Sequence, residues 1–580
     1  MRTFFVFLIL ILTIISVSYT CGGQVTHYIP AVVGNNGAMV NVTIAMIDTQ
    51  MDRGGVYVSI YPNTGLMTQE SIIHASDYAY EISGEERKCD LIITFKPVQD
   101  TAFIDGPSAG TALAVMMYSV MTNKTMRNDT VITGTVDNNG NVGIVGGLYE
   151  KAKGAILVGA DYFITPPQSL YEHLILKKLE KEHSIIVFEA STVNDVIGFM
   201  TENRSIEQNP LTSRKREIPA LPEYDYQGQG IANFREVAGR MITLEQSLIE
   251  TIQTRDNESL QIYEYFSNEI QRQEGILGQG YIFTAANEAF LNYIDISTIN
   301  TLLSGDVDLP RKKGEIGKCL TSIVRPNITD TNFEWVVGSD LRQAWAYDRL
   351  QTTEVNDLLA DEKFVRYNEL VYAEAWCMVA KETIKSTPDD GNVINESAWK
   401  QLAQDMLENA EATGTMLPET ASRLIIAQDS YDKGRYGAAI YDSAYVIAME
   451  NADRDISNRS VAIEVVQMID ENRTSLWGGI YQSHAAFLYH MNETNTAYKI
   501  FRLAQELDRA TENMTQEIKT VEIPTKTEDN FDNSYYYGII VIISIFLFIL
   551  FIILYTLKGK IYGGHGNRHN KTNRTKKKKG

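Results

Sequence analysis

Apolar and polar residues follow two different spacings in the part of the chain between Gln24 and Met200. Short alternating or continuous apolar runs indicate β-strands, and they are separated by stretches whose apolar residues recur at helical spacing. This mixture predicts an α/β (α+β) domain, which we place at residues 24–203. The strand-like runs are residues 38–47, 55–61, 90–95, 130–136, 161–165 and 184–190, and the helix-like stretches are residues 67–82, 108–121, 148–158 and 193–200.

From residue 231 to residue 514 the strand-like runs disappear and amphipathic helical windows replace them. Two windows, 421–452 and 479–510, place small residues and tyrosines at helical spacing on both sides of a short polar turn. Such hairpins are similar to those of tetratricopeptide arrays, but a strict period of about 34 residues is missing. We therefore predict an all-α domain at 231–514, with a plain helical bundle favoured over a tetratricopeptide-like array. The polar, proline-bearing stretch 204–230 is predicted to link the two domains.

Both ends of the chain carry apolar segments. Arg2, an apolar run over 4–17 and then small polar residues are typical of a secretory signal peptide, predicted here at 1–20. Residues 538–557 contain no charge and are long enough to cross a bilayer as one helix. A polar, acidic stalk at 515–537 precedes this span and a basic tail at 558–580 follows it, which places the tail in the cytoplasm. The sequence therefore predicts a single-pass protein of the cell membrane whose bulk faces outward.

The net charge of the chain narrows the classes of partner it can bind. The net charge is −21, and the tail carries nine positive charges and Arg2 one, which leaves about −31 on the remainder. Such an acidic domain argues against nucleic acid as a partner. Eleven N-x-S/T triplets between the two apolar segments predict a glycoprotein. Their asparagines are Asn41, Asn123, Asn128, Asn203, Asn257, Asn327, Asn395, Asn458, Asn472, Asn492 and Asn513.

The chain has four cysteines, an even number that permits three pairings in an exported protein. We favour a disulfide between Cys319 and Cys377, because both lie in the second half of the chain.

Ser108 is the first candidate for chemistry, in the sequence FIDGPSAG at 103–110. The surrounding glycines satisfy the G-x-S-x-G pattern of a nucleophile elbow, in which the base is a histidine. The alternative is a structural serine that caps the helix that follows. His173 and His183 are the downstream histidines before the linker, and neither lies in a distinctive setting, so both are interpreted as structural.

A second motif lies at 146–151, Gly-Gly-Leu-Tyr-Glu-Lys. Together with the segment from Asp105 to Gly110 it resembles the two active-site motifs of the Lon family of serine proteases. The segments ITGTVDNNGNV at 132–142 and GLMTQESIIHAS at 65–76 are similar to further parts of that family, in the same order. The resemblance covers nearly the whole first domain, and it implies a Lon-type proteolytic fold.

The resemblance implies a catalytic dyad, with Ser108 as nucleophile and Lys151 as general base. A lysine has a pKa of about 10.4 in water, so it accepts a proton at neutral pH only where burial lowers its pKa. Lys153, offset by two on the same helix, is expected to face away. Thr133 is expected to hold or orient the lysine ammonium. Asp105, followed by Gly106 in the serine motif, either tunes the site or caps the turn.

The sequence departs from the usual Lon architecture because it contains no G-x-x-x-x-G-K-[ST] loop. We therefore expect a membrane-anchored, ATP-independent protein similar to archaeal Lon-like proteases, with no cofactor. Its partners are expected to be unfolded or flexible protein substrates and the membrane, and a ring-shaped homo-oligomer is an open prediction. The alternatives are a Ser-His hydrolase, or a weakly catalytic scaffold that binds partners through its helical domain.

Overall fold

β-Strands and helices mix in the first part of the chain and helices alone fill the second, in a computed structural model that describes residues 21–518. The predicted signal peptide at 1–20, the membrane span at 538–557 and the basic tail at 558–580 lie outside the described residues, as does most of the stalk. Among the residues that are described, no helix is both long enough and apolar enough to span a bilayer. Also outside the description are residues 34–35, 49–53, 99–102, 209–215, 226–230, 253–255, 306, 357, 359 and 470.

The described residues of the first domain contain two larger sheets and two short strand pairs. The strands are β1 (Gln24–Val33), β2 (Asn36–Ile47), β3 (Val56–Val58), β4 (Asn63–Thr64), β5 (Asp90–Pro97), β6 (Phe103–Ile104), β7 (Thr130–Ile132), β8 (Thr135–Val136), β9 (Val142–Gly143), β10 (Tyr162–Thr165) and β11 (Ile186–Glu189). One sheet has the order β1-β2-β5-β3, and a parallel sheet has the order β11-β10-β7. The short pairs are β4 with β6 and β8 with β9.

The sequence of β2 explains its place inside the first sheet. Val40, Val42, Ile44 and Met46 are buried at every second position, as expected of a strand with one face on the core. Both β1 and β5 pair with it in antiparallel register. The apolar pattern did not indicate β1, whose Pro30 has no N–H to donate to a sheet. That proline is tolerated because β1 lies at the sheet edge.

Five α-helices complete the described part of the first domain. They are α1 (Leu66–Ser83), α2 (Gly110–Thr122), α3 (Leu148–Leu157), α4 (Leu170–His183) and α5 (Val193–Glu202). Nearly every residue of α2 is buried, which is the pattern of a helix that belongs inside a core. It packs against α1, α5 and the first two strands. The helix that begins just after Ser108 is therefore held on several sides.

The second part of the chain is helical, as predicted. Its helices are α6 (Ile231–Ile249), α7 (Asn257–Gly278), α8 (Ile282–Ser304), α9 (Leu309–Thr321), α10 (Phe333–Thr352), α11 (Ala360–Lys385), α12 (Lys400–Thr413), α13 (Pro418–Asp432), α14 (Tyr436–Asn458), α15 (Ala462–Met468), α16 (Leu476–His490) and α17 (Thr494–Glu517). The hairpin windows 421–452 and 479–510 fall on α13–α14 and α16–α17. Trp399 and Trp477 are buried in the core of this region. The order of an α/β domain followed by an all-helical region is thus confirmed.

The helical region packs directly on the first domain through α4 and α11. Leu170 and Leu174 of α4 are buried together with residues of α6, α7 and α8. Phe364 of α11 is buried among residues of α3 and α4. An ion pair of 2.7 Å joins Lys153 of α3 to Glu362 of α11. Both parts therefore belong to one contiguous unit.

The predicted linker has no regular structure in its described residues, but it is docked rather than free. Arg216 pairs with the buried carboxylate of Glu269 on α7. Further along, the Tyr224 N–H donates to the carbonyl of Gln279 at 2.8 Å. The described residues of the linker around Arg216 and Tyr224 are therefore fixed against α7 and its C-terminal end.

Two disulfides are present. The favoured pair, Cys319 with Cys377, is confirmed and joins α9 to α11. The other two cysteines, Cys21 and Cys89, tie the start of the described chain to the residue before β5.

Candidate active site

Ser108 lies in a single 3₁₀ turn, Pro107–Ala109, that leads directly into α2. Hydroxyl groups on α1 hold the backbone of this turn, since Thr68 donates to the Gly106 carbonyl at 3.2 Å and Ser71 to the Pro107 carbonyl at 3.0 Å. No side chain caps the start of α2, where Ala109 occupies the N-cap position. The half-buried Ser108 is therefore held in place without acting as the helix cap.

The strand side of the turn is fixed by Gly134. The run 130–136, predicted as one strand, is divided here into β7 and β8. Gly134 has a φ of +151°, a conformation that favours glycine, and its N–H donates to the Ser108 carbonyl at 3.0 Å. The break in the strand thus supplies a backbone hydrogen bond to the serine turn.

Thr133 is fully buried beside this break. Its hydroxyl donates to the Ser108 carbonyl at 3.3 Å. Thr133 does not line the cavity that Ser108 and Lys151 share. The contact that the structure gives Thr133 is therefore with the serine turn, whereas the sequence predicted one with Lys151.

Asp105 anchors the other end of the serine motif. One carboxylate oxygen accepts the N–H groups of Thr68, at 3.1 Å, and of Gly106, at 2.9 Å. Thr68 lies in the first turn of α1, so the carboxylate satisfies a helix N–H that has no partner within the helix. A Cβ on Gly65 would lie 2.1 Å from the Asp105 carboxyl carbon, which is why glycine precedes the helix. Of the two roles expected for Asp105, these contacts are those of a cap.

Lys151 lies on α3 and is only 4% exposed. Burial lowers its pKa from the ordinary value of 10.5 to about 8, although the neighbouring Glu150 carboxylate opposes that change. In the described part of the chain, the Lys151 ammonium has no ion pair with a carboxylate. Lys153, two residues on, pairs with Glu362 and so faces the helical region.

The close packing of α3 on β2 brings Lys151 to its position. A Cβ added to Gly37 of β2 would lie 1.9 Å from the Glu150 carbonyl oxygen, and one added to Gly154 would lie 3.1 Å from the Met39 sulfur. Two glycines therefore let helix and strand approach more closely than side chains would allow.

Ser108 and Lys151 line the same cavity, whose volume is about 560 Å³. Asp105, Gly106 and Thr68 also belong to its lining, and most of the remaining wall is apolar. The apolar lining residues are Ile29, Pro30, Ala31, Val32, Val33, Ala38, Met39, Val40, Val42, Phe95, Pro97, Ile104, Pro107, Ala109, Ile144, Val145 and Pro418. The first two strands supply most of this wall, and no local motif marked them as part of a site.

The histidines considered as alternative bases lie elsewhere. His173 Nδ1 is 2.8 Å from the Glu189 carboxylate, which places it between α4 and β11. His183 is exposed at the end of α4. Neither lines the cavity that contains Ser108.

A serine on a held turn and a buried lysine that face one apolar cavity define a hydrolase-like site in an α/β domain. Residues 42–200 match the family model described as Lon protease (S16) C-terminal proteolytic domain. This segment is therefore similar to the proteolytic domain of Lon proteases. The helical region from α6 onward lies outside the match.

Curated Lon proteases are also similar to parts of this chain. The peroxisomal Lon protease homolog 2 of Caenorhabditis elegans is 34% identical over 103 residues, 18% of this chain and 13% of the relative. Lon protease 2 of Bacillus subtilis is 27% identical over 191 residues, 30% of this chain and 33% of the relative. Lon protease of Haemophilus influenzae is 30% identical over 119 residues, 19% and 15% of the two chains. The matches thus span a third or less of each relative.

Proposed function

We propose that this protein is a serine endopeptidase in which Ser108 is the nucleophile and Lys151 the general base. The observation that supports this most directly is the burial of Lys151 in the Ser108 cavity, with a pKa of about 8. A lysine with this pKa is partly neutral near pH 8, and only the neutral amine accepts a proton.

The proposed reaction uses both groups twice. The Lys151 Nζ lone pair takes the Ser108 Oγ proton while Oγ bonds to the carbonyl carbon of the scissile peptide. The ammonium then returns this proton to the leaving nitrogen, the C–N bond breaks, and an acyl-enzyme remains. A water molecule, deprotonated by the neutral Lys151, then attacks the acyl carbon. The bond between the acyl carbon and Ser108 Oγ breaks, the Lys151 ammonium returns the proton to Oγ, and the acid product leaves.

The N-terminus of α2 stabilises the negative charge that develops on the carbonyl oxygen in this reaction. The helix begins two residues after Ser108. We infer that its N-terminal N–H groups and the positive end of its dipole face the substrate carbonyl when Ser108 attacks it. Fixed donors aimed at a developing oxyanion typically lower a barrier by about 3 kcal/mol. The hydrogen bonds from Thr68, Ser71 and Gly134 keep the turn in place during the reaction.

Active-site labelling tests the dyad. A fluorophosphonate probe should label the wild-type protein in buffer without nucleotide, and Ser108→Ala should abolish the labelling. Lys151→Ala should slow labelling by about 10²–10⁴-fold, the range of general-base catalysis. Lys153→Ala is the matched control, because this lysine is ion-paired to Glu362, and its rate should stay close to that of the wild type. Labelling of Lys151→Ala at the wild-type rate would show that another group is the base.

Membrane anchoring and an extracytoplasmic site are part of the same proposal. Two disulfides are typical of proteins from oxidising compartments. Nine of the eleven sequon asparagines are exposed and the other two are partly exposed, so each is open to modification. The missing phosphate-binding loop supports ATP independence, and substrates would then be unfolded or flexible segments. A homo-oligomeric ring stays a prediction.

A further inference from the structure

One lining residue of the catalytic cavity comes from a distant part of the chain. Among the described residues, twenty-four line the cavity; twenty-three of them lie between residues 29 and 151, and the other is Pro418. Pro418 is the first residue of α13, in the helical region outside the Lon match. The helical region therefore contributes directly to the cavity that contains Ser108 and Lys151.

The segment that carries Pro418 is firmly held. Glu450 of α14 is 2% exposed, and its Oε1 accepts the N–H groups of Met416, at 2.8 Å, and Leu417, at 3.0 Å. The Thr420 hydroxyl donates to the same oxygen. Hydrogen bonds to a buried carboxylate are among the stronger ones in proteins. The position of Pro418 at the cavity is thus set by the core of the helical region.

Apolar side chains are exposed at the cavity and on the segment that carries Pro418. Ile144 is 79% exposed and Val33 47% exposed, and both line it. Met416, two residues before Pro418, is 56% exposed. Exposed apolar side chains around one cavity are typical of a binding surface. Because Ser108 lies in this cavity, an extended polypeptide with apolar side chains is the occupant that fits it.

We propose that residues 414–418, the wall segment, form one side of the substrate cleft and select the substrate side chain that faces Pro418. This inference rests on the proposed peptidase function. The wall segment is part of the helical region. On this proposal the helical region sets the cleavage preference, in addition to any role in recruiting substrates. The apolar wall favours an apolar side chain at the facing substrate position.

Charge substitutions on the wall segment test this role. Pro418→Asp introduces an anion and should raise the preference for Lys or Arg over Leu at one substrate position by about tenfold, a usual size for one altered pocket contact. Pro418→Lys should shift the same position toward Asp or Glu. The measurement is kcat/KM over a set of peptides that differ at one residue at a time.

Pro310 provides the matched control. It is an exposed proline in the first turn of α9 and does not line the cavity. Pro310→Asp and Pro310→Lys should leave the preference unchanged. Both Pro310 variants should be labelled by a small alkyl fluorophosphonate within about twofold of the wild-type rate. Both Pro418 variants should still be labelled to completion by the same probe, which verifies that each is folded and has a reactive Ser108.

The outcomes separate the two proposals. If the two Pro418 variants are labelled and their substrate preferences shift in opposite directions, the wall segment selects the facing side chain as proposed. If both variants are labelled and their substrate preference is unchanged, the proposed role of the wall segment is wrong and the peptidase function is unaffected. A wild-type protein that neither reacts with the probe nor cleaves peptides overturns the peptidase function, and the wall segment with it.

Discussion

At the scale of single residues, Lys151 sets the pH dependence of the proposed reaction. Its folded pKa of about 8 lies below the ordinary value of 10.5 because burial disfavours the ammonium. Acylation should therefore rise with pH, reach half of its maximum near pH 8 and level off above it. Glu150→Gln removes the carboxylate that raises this pKa, so the midpoint should move to lower pH. Stopped-flow or quenched labelling from pH 5 to pH 10 measures both curves.

Lys153→Ala is the control for this pH profile, and its midpoint should match the wild type. A midpoint near pH 6.5 in the wild-type protein, unchanged by Glu150→Gln, would point to a histidine base instead.

The same lysine should weaken the fold. Between pH 8 and pH 10.5 the unfolded chain binds more protons at this position than the folded chain, so stability rises with pH in that window. At pH 7 the cost is of order 3 kcal/mol, and Lys151→Met should remove it. Urea unfolding at pH 7 and at pH 10.5 should show a gain that shrinks at the higher pH. A gain of equal size at both pH values would contradict the role of burial.

At the scale of elements, the contact between α3 and β2 determines where Lys151 lies. Gly37→Ala would put a Cβ 1.9 Å from a backbone oxygen of α3, so helix and strand must separate. We expect a loss of about 1–3 kcal/mol in the free energy of unfolding, as for overpacked cores, and slower labelling of Ser108. Denaturant titration and the labelling rate are the measurements.

Gly239→Ala in α6 is the matched control. This glycine has open space around its Cβ position, so alanine should stabilise the helix by about 0.5–1 kcal/mol and leave labelling unchanged. Equal stability losses in the two variants would show that the close packing of α3 on β2 does not depend on glycine at position 37.

At the scale of the whole molecule, we expect the region before the membrane span to lie outside the cell and the basic tail to lie inside. Protease added to intact cells should digest the region from residue 24 to residue 534 and spare an epitope placed in the basic tail at 558–580, because positive tails remain inside. Permeabilised cells, as the control, should lose the tail epitope as well. A digested tail beside a protected domain would contradict this orientation.

Local patterns of the sequence determined the order of the elements and the candidate chemistry. The helical spacing of apolar residues over 67–82 and 148–158 predicted α1 and α3 to within one residue at every end, because each helix buries one face. Ser108 and Lys151 were predicted because two short motifs stand in a fixed order. The hydrogen bonds of a helix join residues that are close in the chain. The sequence of the segment alone therefore indicates the helix.

Only the tertiary structure decided which distant residues meet. The pKa of Lys151 depends on burial by β2 and by the glycines that admit α3 to it, which no single segment encodes. The fixed linker and the contacts of Thr133 and Asp105 likewise depend on packing between elements. Pro418 reaches the cavity because Glu450 and the helical core hold its segment there. Long-range packing is a sum of many weak contacts, so it leaves no motif in the sequence.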